Sequence, residues 1–280
     1  LGDVYKRQYK DVGNSEAILL VSSNITEDQN VAAVPVKQAV KAGTRLVVID
    51  SREVEMPRYA EVWLRPRPGT VTAVVASMLR VISDESLENH GFLNDNCEGV
   101  TDYKNSLWAF DLKKVSRVSG VSEDDIRGAA RAIATQGKTS ILYALDNMEV
   151  QSQDEMVEAL ANVAMVTGSL GSTDGGIFPL LAGANQQGAS DLGCGPDYLP
   201  GRSISSDASH NELLEGLWKS KLPSTPGLST IEMLESAMSG EIKAMMIVGY
   251  DDSLVNGDIP NSLDALTKLD FLVIQDVHQS

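Results

Sequence analysis

The run Asn185-Gln186-Gln187-Gly188-Ala189-Ser190-Asp191-Leu192-Gly193, closing soon afterwards on Leu199-Pro200-Gly201, packs amides, a carboxylate and glycines into a few residues with neither a helical nor a strand period. Asn and Gln side chains both donate and accept hydrogen bonds, and Asp accepts only. Gly supplies positive φ and lets a ligand approach the backbone. Such a loop suits a polar, nitrogen-rich heterocycle or a phosphate ester, with Asn185, Gln187, Gly188 and Asp191 as the contacting groups. In isolation it would be a turn-rich connector. Its flanks, Thr167-Gly168-Ser169-Leu170-Gly171 and Gly175-Gly176-Ile177-Phe178-Pro179-Leu180, extend the glycine-rich passage to residues 168–202. That is too long for an ordinary connection and reads as a functional loop.

Three further polar stops follow apolar runs near the beginning of the chain. Ser22-Ser23-Asn24 follows Ala17–Val21, Asp50-Ser51-Arg52 follows Leu46–Ile49, and Arg67-Pro68-Gly69-Thr70 follows Val62–Leu64. In open parallel sheets ligands bind beyond the carboxyl ends of strands. Asp50 could accept from a base or ribose edge in a charge-assisted pair, and Arg52 could contact a phosphate. Pro68, Gly69 and Thr70 lead into a helix, whose first N–H groups favour phosphate oxygens.

The elements that must position these residues follow from periodicity. Ala17–Val21 and Leu46–Ile49 are continuous branched runs, as buried parallel strands require. Helical spacing over Val34–Lys41 between them, ending near Gly43, makes a βαβ unit. Val62–Leu64 is a third strand and Val71–Ile82 a helix. From Ser83 to Gly120 the pattern is irregular and helical. Ser122 caps a helix that opens with three acids and runs to about Ala134. Ser140–Ala144 reads as a strand and Asp154–Thr167 as an apolar helix. Beyond the glycine-rich passage come helices near Asn211–Lys219 and Thr230–Met238. A strand at Ala244–Val248, a helix near Asn261–Lys268 and a strand at Phe271–Ile274 complete the reading. Strands alternating with helices predict an α/β fold with parallel, Rossmann-like sheets and flanking helices.

Composition narrows the function. The 280 residues are 42% hydrophobic and 22% charged, an ordinary balance for a soluble globular protein. A net charge of −16 disfavours a nucleic-acid surface or a polybasic membrane contact. The longest apolar runs fall far short of the roughly 20 residues of a membrane span, and no secretory signal pattern precedes them. Cys97 and Cys194 are far apart, outside any Cys-x-x-Cys, and His90, His210 and His278 have no ligand spacing. No metal ligand and no catalytic residue is assigned.

Taken in order, the glycine-rich passage and the three strand-end stops resemble a signature of the molybdopterin oxidoreductases, on the branch of the formate dehydrogenase catalytic subunits and their counterpart in the NADH:quinone oxidoreductase of respiration (complex I). The resemblance extends from about Asn14 to Asp276. It implies a molybdopterin guanine dinucleotide cofactor (bis-MGD with molybdenum or tungsten), and makes Ser22, Ser23, Asn24, Asp50, Arg52, Pro68, Gly69 and Thr70 the guanine-dinucleotide side of the site. Asn185, Gln187, Gly188, Asp191 and Gly193 match the family loop. Gly249-Tyr250-Asp251 and Gln275-Asp276 resemble further nucleotide contacts. Departures are specific. Ser22 stands where the family usually has Gly, and Val71 where it usually has Asp. Ala144-Leu145-Asp146 and Met148-Glu149-Val150 replace a Gly-x-Gly and a Thr-Gln-His. Leu181 occupies the place of a formate dehydrogenase Arg, and cannot stabilise a carboxylate as Arg can.

The same resemblance implies one complete α/β domain over residues 9–182 and part of a second over 183–280, with Leu1–Gln8 read as a non-native scar. The chain is therefore expected to be a fragment, inactive alone. The metal ligand and a 4Fe-4S cluster are expected in a segment upstream. The intact protein is expected to be a cytoplasmic enzyme without a membrane span, passing electrons between a small-molecule substrate and iron–sulfur or flavin subunits. The alternative is the complex I counterpart, in which the fold is a cofactor-free assembly module. The two last strands are expected to form a partial sheet with an unpaired edge.

Overall fold

Five short strands at the centre of the first unit are covered by helices on both faces. The computed structural model describes residues 9–135, 137–145, 150–181, 185–201, 203–204, 208–223, 225–249 and 262–277; Leu1–Gln8, read above as a scar, lie outside them. The chain divides into two compact units, Leu1–Gly183 and Ala184–Ser280.

In the first unit the strands are β1 (Ala17–Val21), β2 (Arg45–Ile49), β3 (Val62–Leu64), β4 (Thr139–Tyr143) and β5 (Gly176–Pro179), in spatial order β3-β2-β1-β4-β5. All four pairings are parallel, with Leu19 opposite Val47 and Ile141. Every residue of β1 and β4 is buried, which explains why these strands lack polar alternation. Side chains still alternate between two cores because successive Cβ atoms point to opposite faces. Leu19, Val21, Val47, Ile49 and Ile141 pack on one side with α2 (Val71–Asp84), α6 (Glu123–Ile133) and α7 (Val150–Val166). Ile18, Leu20, Leu46, Val48 and Leu142 face α1 (Asn30–Ala42) on the other. Each such side chain removed from water contributes about 1.5–3 kcal/mol. Helices on both faces of a parallel sheet give the Rossmann-like α/β architecture.

Between α2 and α6 lie α3 (His90–Asn96), α4 (Val100–Ser106) and α5 (Leu112–Ser119). Local chemistry sets their ends. Ser122 Oγ accepts from Asp125 N at 3.0 Å, Asp111 from Lys114 N at 3.0 Å, and Asn89 from Phe92 N at 3.0 Å. Gly43 ends α1 at φ 111°, a left-handed position. The helix α1 begins four residues before Val34, ahead of Pro35, because Ala32 and Ala33 bury against the sheet.

The second unit holds α8 (Gln186–Asp191), a two-residue antiparallel pair β6 (Tyr198–Leu199) and β7 (Ser203–Ile204), α9 (Ala208–Trp218) and α10 (Thr230–Ser239). A parallel pair, β8 (Ala244–Val248) and β9 (Phe271–Gln275), flanks α11 (Ser262–Thr267), which packs against α10. Among the described residues β8 and β9 pair only with each other, so the expected partial sheet is a two-stranded one.

Two expectations about the glycine-rich passage change. Gly176–Pro179, read as loop, is the fifth strand of the sheet, an edge position where Pro costs no ladder bond. Gln186–Asp191, read as aperiodic, is a short helix, because Asn185 Oδ1 caps it by accepting from Gly188 N at 3.2 Å. A turn and a half of helix is too short to display a period.

Candidate functional site

The chain runs outward from β1 through β2 to β3, then returns to place β4 on the other side of β1. The carboxyl ends of β1 and β4 thus flank the point where strand order reverses, the usual ligand crevice of such sheets. Ser22 ends β1 at φ +53°. Left-handed backbone is easy for Gly and costs other residues about 1–2 kcal/mol, which accounts for a glycine preference at this position. The turn aims Ser23 inward: it is 1% exposed and its Oγ has no hydrogen-bond partner.

That unpaired hydroxyl contrasts with those at the opposite end of the sheet. Around the amino ends of the strands the buried hydroxyls satisfy one another, Ser15 with Ser140 at 2.6 Å, Thr135 with Thr139 at 2.6 Å, and Thr167 with Ser169 at 2.9 Å. Buried polar groups are ordinarily paired, and an exception asks for a missing partner. A second exception lies nearby in sequence. Gln29, immediately before α1, donates from Nε2 to the Leu181 carbonyl at 3.4 Å while its buried Oε1 has no partner. Gln29 had no signal in the sequence, since it sits in no motif and its role depends on where Leu181 comes to lie.

Asp50 and Arg52 join Ser22 in one cluster. Asp50, 3% exposed, accepts at Oδ1 from Arg52 N (2.8 Å) and Nε (3.0 Å), and at Oδ2 from Nη2 (2.9 Å). Arg52 Nη2 also reaches the Ser22 carbonyl at 3.5 Å, and Trp63 Nε1 donates to the Asp50 carbonyl at 3.1 Å. These bonds to Asp50 hold the Arg52 guanidinium more firmly protonated than usual, helped by the charges of Asp28 and Glu27. Arg52 therefore braces Asp50, tying the end of β2 to the end of β1. Asn24 Oδ1 accepts from Thr26 Oγ1 at 3.2 Å.

Pro68, Gly69 and Thr70 stand apart at the outer strand. Their turn is anchored by Arg67, whose Nη1 donates to the Arg117 and Val118 carbonyls at 3.0 and 2.8 Å. Thr70 Oγ1 turns back to the Arg67 carbonyl at 2.6 Å and does not cap α2. The first backbone N–H groups of α2 are thus left without a side-chain cap beside an exposed Gly69. Val71, at the family's Asp position, is buried in the core.

In the second unit the candidate side chains bond to one another. Gln187 Nε2 donates to Asp191 Oδ1 at 2.8 Å, and Asn185 is spent on its cap. A Cβ on Gly193 would lie 2.6 Å from the Leu199 carbonyl carbon and Pro200 nitrogen. That glycine lets the loop close on itself. Asp146, Met148, Glu149, Tyr250 and Asp251 lie outside the described residues. Among the described residues no cluster of three or more His, Cys, Asp or Glu side chains could hold a metal ion, and no helix is long and apolar enough to cross a membrane.

The unpaired Ser23 hydroxyl and Gln29 carbonyl, the left-handed turn at Ser22 and the braced Asp50 fit a polar, hydrogen-bonding ligand beyond β1 and β2. Comparison with known proteins bears on which ligand. The family model for molybdopterin oxidoreductases matches residues 2–280. The F420-dependent formate dehydrogenase subunit alpha of Methanocaldococcus jannaschii is 30% identical over 96% of this chain and 39% of its own length. Formate dehydrogenase H of Escherichia coli is 28% identical over 95% of this chain and 38% of its own length. The chain thus spans well under half the length of these relatives. Acetylene hydratase from Pelobacter acetylenicus shares the fold, with a TM-score of 0.69 at 20% identity over 96% of this chain and 41% of that one. With a parallel sheet of the matching architecture and a family match over nearly its whole length, the chain belongs to the molybdopterin oxidoreductases.

Proposed function

We propose that this chain is part of the catalytic subunit of a formate dehydrogenase-like enzyme and cradles one nucleotide arm of a bis-molybdopterin guanine dinucleotide carrying molybdenum or tungsten. The observation that carries the reading is the buried, partnerless Ser23 hydroxyl at the left-handed turn that ends β1. Ser23 and the Gln29 carbonyl would bond the nucleotide, and Asp50 would accept from its guanine or ribose edge through lone pairs that Arg52 leaves open. The uncapped start of α2 beside Pro68, Gly69 and Thr70 would face phosphate oxygens. Asn185, Gln187, Gly188 and Asp191 would serve a second lobe after exchanging their mutual bonds for bonds to the ligand. When bound, the metal and its pterins supply the redox chemistry, while the protein binds and orients. A 4Fe-4S cluster, iron–sulfur or flavin subunits, a small-molecule substrate and a cytoplasmic setting belong to the same reading. It is supported by the formate dehydrogenase relatives, one of them named as a subunit alpha.

Titration of the chain with GDP tests the nucleotide arm. Saturable binding is expected, and Ser23→Ala and Asp50→Asn should each weaken it, by about 1 kcal/mol or more per lost bond. No binding by the parent chain would overturn the assignment. For the whole polypeptide that carries this sequence, metal and pterin analysis should find about one molybdenum or tungsten per chain. The chain alone should show no turnover with dye acceptors.

A second reading is a cofactor-free assembly module, as in the complex I branch of the resemblance. The Gln187–Asp191 bond and the engagement of both Asp50 oxygens by Arg52 favour it, since both sets of side chains are satisfied without a ligand. Metal-free, pterin-free protein that still assembles with electron-transfer subunits would decide for it.

A further inference from the structure

A cavity of ≈ 110 Å3 opens in the first unit between the last turns of α2 and α7 and the helices α3 and α4. On the scale of roughly 10–15 Å3 per water-sized probe, it has room for several waters or one small organic molecule. Its position is toward the ends of α2 and α7, whereas the strand-end loops described above lead into their beginnings. Leu79, Leu93, Leu107 and Val166 make the walls apolar.

Set into these walls are buried polar groups that accept or donate no hydrogen bond within the protein. Glu88 is 3% exposed, and neither carboxylate oxygen accepts a hydrogen bond. Lys104 Nζ comes to 2.6 Å of Oε1 as an ion pair, but not along a hydrogen-bonding direction. His90 Nε2 is 3.9 Å from Oε2. The Tyr103 hydroxyl is buried and has no acceptor. Burial pushes its pKa well up, so it remains a donor. Leaving the Tyr103 hydroxyl unpaired costs about 1–3 kcal/mol. The pattern has a definite complement: N–H donors for a carboxylate, a carbonyl for a hydroxyl, and a short apolar body. Lys104 already offsets the Glu88 charge, so the occupant needs no charge of its own.

We propose that this cavity is a binding site for small aliphatic primary amides, the NH2 group bonding the Glu88 carboxylate and the carbonyl accepting from Tyr103. A carboxylate of the same shape has no N–H to donate to Glu88 and adds a negative charge to an already neutral Glu88–Lys104 pair, and an alkylammonium would leave Tyr103 unpaired.

Cys97 lines the same cavity, and Cys194, exposed in the second unit, supplies a reference thiol in the same molecule. Alkylation of both is followed by peptide mass spectrometry in the full chain. Each thiolate displaces iodide from the reagent's methylene carbon, and the thiol proton goes to solvent. Iodoacetamide, itself a primary amide, should outpace iodoacetate by a larger ratio at Cys97 than at Cys194. Isobutyramide at ten times its Kd should slow iodoacetamide at Cys97 about tenfold, by simple occupancy, and leave Cys194 unchanged. Isobutyrate and butylammonium should protect neither. Glu88→Gln keeps the shape but places a donor against the amide NH2, and Tyr103→Phe removes the hydroxyl; each should reduce the protection. Isobutyramide slowing neither cysteine, or both alike, would overturn the proposal without recourse to any variant. So would equal protection by isobutyrate.

Discussion

The two parallel sheets of this chain are built from similar sequence and end in opposite states. Strands β1 and β8 are both five-residue apolar runs, Ala17-Ile18-Leu19-Leu20-Val21 and Ala244-Met245-Met246-Ile247-Val248. The first is wholly buried, with neighbours on both edges and helices on both faces. Among the described residues the second has one partner, and its Met246 and Val248 are 63% and 57% exposed. Phe271 and Ile274 of β9 are similarly open. Two strands alone are marginally stable in water. The difference teaches that an apolar run marks a strand, whereas the number of layers around it determines what that strand contributes to stability.

Core truncation should separate the two regions most sharply. Leu19→Ala is expected to cost about 2–5 kcal/mol of unfolding free energy, whereas Ile274→Ala in β9 should fall within about 0.5 kcal/mol of the parent. Urea titrations can be followed by the tryptophans, Trp63 and Trp108 reporting on the first unit and Trp218 on the second. Equal losses at the two sites would break the comparison.

Caps test the same contrast on a smaller scale. Ser122→Ala should lower the stability of the first unit by about 1 kcal/mol, because α6 is docked on the sheet and its loss is felt globally. Asn185→Ala removes a comparable bond from α8, which buries none of its residues. Its expected result is faster hydrogen exchange over residues 186–191 with no shift in the main urea transition.

Ser22→Gly relieves a left-handed serine but adds freedom to the unfolded chain. The two terms nearly offset, so a gain of up to about 0.5–1 kcal/mol is expected. A larger Ser22→Val loss, measured in the same titration, would sharpen the assignment of strain to this turn.

The smallest effect concerns pH. Hydrogen bonds from Arg131 at 2.7 and 2.8 Å, reinforced by Arg127, hold Glu85 below its ordinary pKa of 4.5. A depressed carboxylate contributes fully above its unfolded value and loses that contribution as pH falls through the lower folded one. A shallow loss of stability should therefore appear below about pH 4.5 and be reduced in Glu85→Gln. Its absence would mean that solvent screens the pair completely.

Much of this molecule was legible in the residues. Periodicity placed β1, β2, β3, β8 and β9 within a residue or two, because a doubly covered parallel strand must be a continuous apolar run. Ser122 announced its helix through a cap and three acids. The strand β5 was not legible, since Gly176 and Pro179 leave only Ile177 and Phe178 to carry a pattern. The helix α8 was hidden for the converse reason: its capping bond fixes it without any buried face. At the site, the strand-end positions of Ser22, Asp50 and Thr70 could be read from topology, but their bonding could not. Asp50 and Arg52 were each assigned to a ligand, and the fold turns them first toward each other.

By itself, then, the sequence determined the order of strands and helices, the family, and which loops lie at the carboxyl ends of the first sheet, because periodicity and motif order are local properties of the chain. Only the tertiary structure decided which polar groups remain unpaired there. Ser23 and Gln29 keep side-chain oxygens without a hydrogen-bond partner, as do Glu88 and Tyr103 in their cavity, while Gln187 donates to Asp191. Whether a buried donor finds an acceptor depends on segments distant in sequence meeting at hydrogen-bond range, and no local pattern encodes that.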